Sequence, residues 1–370
     1  MSRNENTSDH LDNPVGNYAE CVSSLRYLHG KPTFTAAFRS SPDDFQVDEI
    51  MPVAFDGEGE HVCLHIEKRN LNTMQVVKML ARHLGVKNHD VGYSGLKDRH
   101  AVTTQWFSVP VPIKQDADFS PLVSDELKIL EQCRHSRKIR LSSHKVNRFT
   151  ITLRADNMPD FSDRLAVIKE QGVPNYFGEQ RFGFDGHNLA MAVRMFGGEK
   201  IRDRKLKGLV ISAARSQVFN QVVSQRIAEG LFEQPLQGDA FMLAGSKSFF
   251  TDDGSDDIQE RLIQNDILLS APMPGSGNSL VSGDALVKEQ AWTEHYQAWQ
   301  VGLEKQQVKQ ERRAIKLLPQ ELTWQHSENA LTLSFLLPSG CFATAILREL
   351  VNLEDVSQQR KPMSHEDSTK

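Results

Sequence analysis

Cysteine is scarce and scattered. Cys21, Cys63, Cys133 and Cys341 are spread along 370 residues and no two form a Cys-x-x-Cys pair. That spacing offers neither a zinc ribbon nor a dithiol redox motif, and it fits a reduced, cytoplasmic setting. No apolar run approaches the roughly 18 residues needed to cross a bilayer, so no membrane partner is expected. The opening Met1-Ser2-Arg3-Asn4-Glu5-Asn6 leads into no apolar stretch of the secretory kind. Gly245-Ser246-Lys247-Ser248 and Pro274-Gly275-Ser276-Gly277 fall short of the full phosphate-loop pattern and read as turns. No internal repeat is visible, and no motif calls for a metal or a cofactor. An excess of positive charge is also missing. A net charge of −5 excludes a protein that coats nucleic acid indiscriminately. It still admits one that binds RNA in a local basic cleft, because attraction depends on the field at the site.

What is present describes a globular protein, 39% hydrophobic and 25% charged, long enough for two domains or for one with a large insertion. Residues 1–24 are polar and read as a mobile segment. Phe45-Gln46-Val47-Asp48-Glu49-Ile50 alternates as a strand, with Phe45 and Val47 on one face. After the Asp56-Gly57-Glu58-Gly59-Glu60 turn, Val62, Leu64 and Ile66 alternate again, and a pair of strands joined by this loop is expected. Asn72 or Thr73 caps a helix carrying Val77, Leu80, Ala81 and Leu84, which Gly85 stops. Trp106-Phe107-Ser108-Val109 reads as a strand, and Phe149, Ile151 and Leu153 as another. An amphipathic helix is expected over Ile211 to Ile227, with Arg215, Ser216 and Asn220 facing a partner. A long helix is expected from about Ala285 to Gln307, with Trp292, Tyr296 and Trp299 on one face. Leu331, Leu333, Phe335 and Leu337 form a final strand, Phe342 to Leu350 a last helix, and 356–370 a disordered tail.

Three stretches concentrate chemistry. Gly92-Tyr93-Ser94-Gly95-Leu96-Lys97-Asp98-Arg99-His100 sets one acid between two cations in a loop between a helix and a strand. It reads either as a solvated ion pair or as a presented catalytic carboxylate. From Arg134 to Arg148 the cations Arg137, Lys138, Arg140 and Lys145 meet no acid, and Lys200, Arg202, Arg204, Lys205 and Lys207 form a second basic cluster. Each cluster is either a solvated face or a phosphate-binding stripe. Asn175-Tyr176-Phe177-Gly178-Glu179-Gln180-Arg181-Phe182-Gly183 places aromatics beside a turn, either as core or as a stacking platform for a base.

Taken together, Gly95-Leu96-Lys97-Asp98-Arg99-His100-Ala101-Val102-Thr103-Thr104-Gln105-Trp106, the Asn175–Gly183 stretch and Ser212-Ala213-Ala214-Arg215-Ser216-Gln217-Val218-Phe219-Asn220 resemble the TruD-type tRNA pseudouridine synthases. Asp44-Phe45-Gln46-Val47-Asp48-Glu49 and Leu337-Pro338-Ser339-Gly340-Cys341-Phe342-Ala343-Thr344 extend the resemblance over about Tyr27 to Asn352. It implies an α+β fold, a pseudouridine-synthase core with a mixed, largely antiparallel central sheet and flanking helices. It also implies an inserted family-specific α/β domain, placed at 201–316, with the core in two parts at 25–200 and 317–355.

The implied reaction isomerises a tRNA uridine to pseudouridine, at position 13 of the D-arm region, without a cofactor, in a protein expected to be a monomer. The N1–C1′ bond breaks, the uracil turns, and C5 joins C1′. One ionised carboxylate beside the ribose is needed, and an ordinary Asp, with a pKa of about 3.9, supplies it at neutral pH. By resemblance that group is Asp98, which either attacks C1′ or removes the 2′ proton. Lys97 and Arg99, adjacent in sequence, are placed to favour its charge. Phe177 is implied to pack beside the flipped base, where it has no hydroxyl to act as a base towards the C5 proton. Phe45, Asn175 and Phe342 match pocket-lining positions, Glu49 is a neighbour, and Gln105 orients the loop. Arg137, Lys138, Arg140, Lys145, Arg202, Arg204, Lys205 and Arg215 are candidates for the tRNA backbone. Two other readings stand beside this one: a non-catalytic RNA-binding or RNA-folding protein, and a glycosidase-like hydrolase, which would want a second carboxylate.

Overall fold

The structure is a computed structural model that describes residues 14–52, 55–246, 248–251 and 257–358. The chain forms two compact units. One comprises Pro32–Gln171, Leu318–Ala343 and the residues from Leu350 on; the other comprises the residues up to Lys31, Gly172–Leu317 and Thr344–Glu349. The segment 201–316 lies within the second unit, together with 172–200.

The first unit is built on a ten-stranded sheet. Its early part supplies β1 (Thr35–Phe38), β2 (Phe45–Ile50), β3 (His61–Arg69), α1 (Thr73–Leu84), β4 (Gly92–Tyr93), β5 (Val102–Pro110), β6 (Leu127–His135), β7 (Val146–Arg154) and α2 (Ser162–Gln171). The alternation in β3 decides its orientation. Val62, Leu64 and Ile66 are buried on one face against Val76, Val77, Leu80 and Ala81 of α1 and against Phe107 and Val109 of β5. Burying each such side chain contributes about 2 kcal/mol. On the opposite face Cys63 packs with Trp106 and Ile139. Asn72 begins α1 through a reciprocal box: its side chain accepts from Gln75 N at 2.9 Å, and Gln75 accepts from Asn72 N at 2.8 Å. Gly85 ends the helix in the left-handed region, at φ 66°.

The second unit holds β8 (Val173–Pro174), α3 (His187–Phe196), α4 (Arg204–Ala228), β9 (Ala240–Leu243), β10 (Phe249–Thr251), α5 (Ile258–Ile263), β11 (Ile267–Met273), α6 (Gly283–Trp292), α7 (Gln297–Lys305), β12 (Glu311–Ala314) and β13 (Lys316–Leu317). Four of these strands form a sheet in the order β10-β9-β11-β12, and β8 pairs with β13. The chain then returns to the large sheet as β14 (Gln320–Ser327) and β15 (Ala330–Pro338), continues through α8 (Ala343–Arg348), and adds β16 (Asn352–Asp355). The large sheet runs β14-β15-β7-β2-β5-β3-β6. Its pairings are antiparallel except β2 with β5 and β1 with β16. The fold is therefore α+β with a mixed, largely antiparallel central sheet, as expected.

Several local expectations need correction. β2 and β3 are not partners: β5 lies between them, parallel to β2 and antiparallel to β3. The helix expected over 285–307 is broken at Thr293, whose φ of −112° leaves the helical region and whose hydroxyl donates to Glu289 O at 2.7 Å. A single 3₁₀ turn, Glu294–Tyr296, precedes α7, and Trp292, Tyr296 and Trp299 are nevertheless all buried. The last helix is shorter than Phe342 to Leu350, and β16 follows the strand taken as final. Within the polar N-terminal segment, Tyr18–Glu20 forms a 3₁₀ turn and Cys21 and Val22 are buried. At the other end Val356–Gln358 forms a 3₁₀ turn. Residues 1–13, the tail from 359 on, and Lys247 in one of the two glycine-containing turns lie outside the described residues.

Candidate active site

Asp98 lies in the segment 94–101 between β4 and β5, and buried side chains hold that segment by its main chain. Gln105 on β5, fully buried, donates its amide to Gly95 O and accepts at 3.1 Å from the Thr73 hydroxyl, which in turn accepts from Lys97 N at 2.9 Å. Lys68, the penultimate residue of β3 and also fully buried, donates its ammonium to Leu71 O at 2.6 Å and to Asp98 O at 2.9 Å. Ser142 N donates to Ser94 O at 2.6 Å from the loop that precedes β7. At Gly92 a Cβ would sit 2.4 Å from Ile139 O, so glycine is required there by close main-chain approach.

The carboxylate itself is one-third exposed and pairs with Arg39, whose guanidinium donates to Oδ2 at 3.3 Å. Arg39 also reaches Asp355 at 3.3 Å and lies over the rings of Phe38 and Phe45, 4.8 and 4.4 Å from their centroids. Its backbone is left-handed, at φ 60°, which costs a non-glycine residue roughly 1–2 kcal/mol. The expectation that Lys97 or Arg99 turns back to this acid is corrected. Lys97 Nζ sits 3.0 Å from Glu49 Oε2, and Arg99 donates to Asn70 O at 3.2 Å. Glu49 is buried; it also accepts from Trp106 N at 3.3 Å and lies 3.7 Å from His144 Nδ1. Burial, followed by the charge of Lys97, lowers the pKa of that histidine. The Glu49 carboxylate is thus spent inside the protein, one residue behind Asp98 through Lys97. Phe45 is buried edge-on to Phe38, centroids 5.4 Å apart, and Phe342 is partly exposed just ahead of α8.

In the second unit a different arrangement surrounds Phe177. The Asn220 side chain, fully buried on α4, accepts from Phe177 N and donates to Phe177 O, both at 2.9 Å. Asn220 is therefore not partner-facing, and neither is Ser216, which is equally buried. The Phe177 ring meets Phe219 edge-on at 5.5 Å and carries two guanidiniums, Arg313 at 4.3 Å and Arg181 at 5.1 Å. Burial, then the neighbouring Arg313, lowers the pKa of Arg181. Asn175 donates to Ala314 O at 2.9 Å and accepts from Arg313 at 2.7 Å.

The candidate RNA contacts separate by exposure. Arg137, Arg140, Lys145, Arg202, Arg204 and Lys205 are exposed. Lys138 donates to His89 O. In the first unit Arg137, Lys138 and Arg140 line a cavity of about 1010 Å³ together with Phe55, His61 and His135. Arg204 and Lys205 open α4, where Asp203 caps the helix by accepting from Lys205 N at 2.8 Å. Arg215 is committed internally, donating to Met273 O, Lys309 O and Glu311, with 12% of its side chain exposed.

Arg39, Lys68, Arg313 and Asn220 were not assigned these positions from sequence. One of them carried a signal: in the alternation of β3, Lys68 falls on the face of Val62, Leu64 and Ile66, an ammonium pointing into an apolar layer. Arg39 and Arg313 carry none, because their contacts depend on the tertiary fold.

The family model of tRNA pseudouridine synthase D (TruD) matches this chain over residues 22–194 and 187–350. The chain belongs to the TruD family. The tRNA pseudouridine synthase D of Pseudoalteromonas translucida is 49% identical over 350 residues, covering 94% of this chain and 99% of the relative. That of Shewanella oneidensis is 46% identical, covering 91% of each. The fold is also that of the TruD crystal structure from Methanosarcina mazei, with a TM-score of 0.65 over 88% of this chain and 96% of the other, at 21% identity. Membership of the TruD family thus rests on nearly the whole chain.

Proposed function

We propose that this member of the TruD family isomerises uridine to pseudouridine in tRNA at position 13 of the D-arm region, with Asp98 as the catalytic carboxylate. The observation that carries the reading is the state of Asp98: a partly exposed acid, ion-paired to Arg39, on a segment whose main chain is held by Lys68, Gln105 and Thr73. A group so held loses little freedom on meeting a substrate.

In the nucleophilic course an Asp98 oxygen bonds to C1′ as the N1–C1′ bond breaks and its electron pair leaves with the uracil. After the base turns, C5 bonds to C1′ and the carboxylate is released. The C5 proton is lost and N1 gains one, so the product is an isomer. In the other course Asp98 removes the 2′ proton, the base leaves to give a glycal, and the proton returns after C5 has added. In both courses the acting group is the carboxylate that Arg39 meets at 3.3 Å. Reaching the acid requires the uridine to leave its stack at a cost of a few kcal/mol. The pocket roles of Phe45, Asn175, Phe177 and Phe342 belong to this proposal, as do backbone contacts from the exposed cations, an inserted domain at 201–316, and action as a monomer.

The test is Asp98→Asn with tRNA carrying tritium at uridine C5. We expect tritium release to fall more than about a thousandfold while tRNA affinity stays within a few-fold. Retained release overturns the assignment, and free uracil in place of pseudouridine identifies a hydrolase. Pseudouridine mapping of the product tRNA checks position 13.

A further inference from the structure

Lys68 is buried completely, yet among the described residues it belongs to no ion pair within hydrogen-bond distance. A lysine is among the residues least often buried without a paired charge. Its nitrogen instead meets two main-chain carbonyls, Leu71 O at 2.6 Å and Asp98 O at 2.9 Å. The first belongs to the turn leading into α1, the second to the proposed catalytic residue itself. The strand neighbours opposite Lys68, Thr103 on β5 and Leu127 on β6, carry no charge. The charged groups that act on it both come from the 94–101 segment, Asp98 in attraction and Lys97 in repulsion. Burial outweighs them and pushes its pKa down to about 8.

We propose that Lys68 is a positioning residue for the reaction, tying the main chain of Asp98 to the end of β3 and keeping a buried positive charge at that main chain. This rests on the assignment of Asp98 as the catalytic group. Neutral donors would satisfy the same two carbonyls at far lower desolvation cost, as the Gln105 amide does for Gly95 O. What only a lysine adds there is the charge. A neutral amine still donates to both carbonyls, so titrating Lys68 removes its charge and leaves the tie in place, whereas truncating it removes both.

The experiment measures tritium release from C5-labelled tRNA at saturating substrate from pH 6.5 to 9.5, for the wild type, Lys68→Met and Asp98→Asn, with tRNA affinity measured alongside. For Lys68→Met we expect turnover at pH 7.5 to fall at least about tenfold, with KM and tRNA affinity unchanged within about threefold. For the wild type, turnover should decline as pH rises through about 8, as the ammonium is lost; the residual activity of Lys68→Met should lack that limb. If Lys68→Met does not fold, the wild-type profile decides, and constant turnover to pH 9.5 overturns the proposal. Wild-type turnover in folded Lys68→Met also overturns it, as does the same alkaline limb in that variant. Both leave the Asp98 reading intact if Asp98→Asn is inactive. An active Asp98→Asn defeats that reading and this proposal together.

Discussion

Two segments of this protein are held by buried polar side chains that grip main chain, and they are held differently. Around Phe177 the grip is neutral: Asn220 takes both the N–H and the C=O of one residue. Around Asp98 it includes a charge: Lys68 takes the carbonyl while neutral Gln105 and Thr73 secure the flanks. A buried amide that satisfies two partners and is satisfied by them costs little. A buried ammonium is expensive even with two carbonyls. The cheap device holds the main chain that carries the Phe177 ring. The costly one grips the main chain of Asp98, where it brings a charge that a neutral side chain would not.

This contrast can be broken by substitution. Asn220→Ala removes both hydrogen bonds that the amide makes to the Phe177 main chain. We expect a loss of about 4 kcal/mol in urea denaturation, roughly 2 kcal/mol for each buried hydrogen bond lost. A loss under 1 kcal/mol would mean that the turn finds other partners.

The lysine predicts the opposite kind of signature, one that depends on pH. Its folded-state pKa of about 8 lies below the ordinary 10.5, so between those values the unfolded chain binds more protons than the folded one. The cost of the buried charge is fully present below about pH 8 and is relieved as pH rises towards 10.5. Between pH 7.5 and 9 that gain is about 1 kcal/mol. It should be visible as the difference between wild-type and Lys68→Met unfolding curves, and equal pH dependence in the two would contradict it.

The smallest effects should come from the exposed cations. Arg137→Gln and Arg140→Gln are each expected to weaken tRNA binding only a few-fold. Each should reduce the salt-dependence slope by up to about 1, with turnover at saturation unchanged. Loss of turnover instead would place these residues in the positioning of the Asp98 segment, which the neighbouring Ser142 touches through Ser94.

Much of this arrangement was legible. The Gly92–Trp106 stretch announced a held acid because two glycines and Gln105 flank it, and the alternation of β3 put Lys68 on an apolar face. The partner of Asp98 was not legible. Sequence adjacency suggested Lys97 and Arg99, but side chains next to each other along an extended segment point apart, and the ion pair formed with Arg39, 59 positions away. The neighbour of β2 was hidden for a similar reason. A loop joining two strands invites a hairpin, yet β5 enters between them, and its alternation buries Thr103, Gln105 and Phe107 on the face that α1 covers. The helix break at Thr293 escaped because the three aromatics keep their buried face across it.

The antiparallel pairing of β7 with β15 has a consequence for the making of the protein. Thr152 and Thr332, their hydroxyls 3.0 Å apart, are 180 positions apart in sequence. At about 5–20 residues per second, a ribosome needs roughly 9–36 s to synthesise the stretch between them. Throughout that interval the newborn β7, with Phe149, Ile151 and Leu153 already in place, presents an unpaired edge to other nascent chains. That edge is covered only when the chain returns after the second unit and β15 pairs with β7.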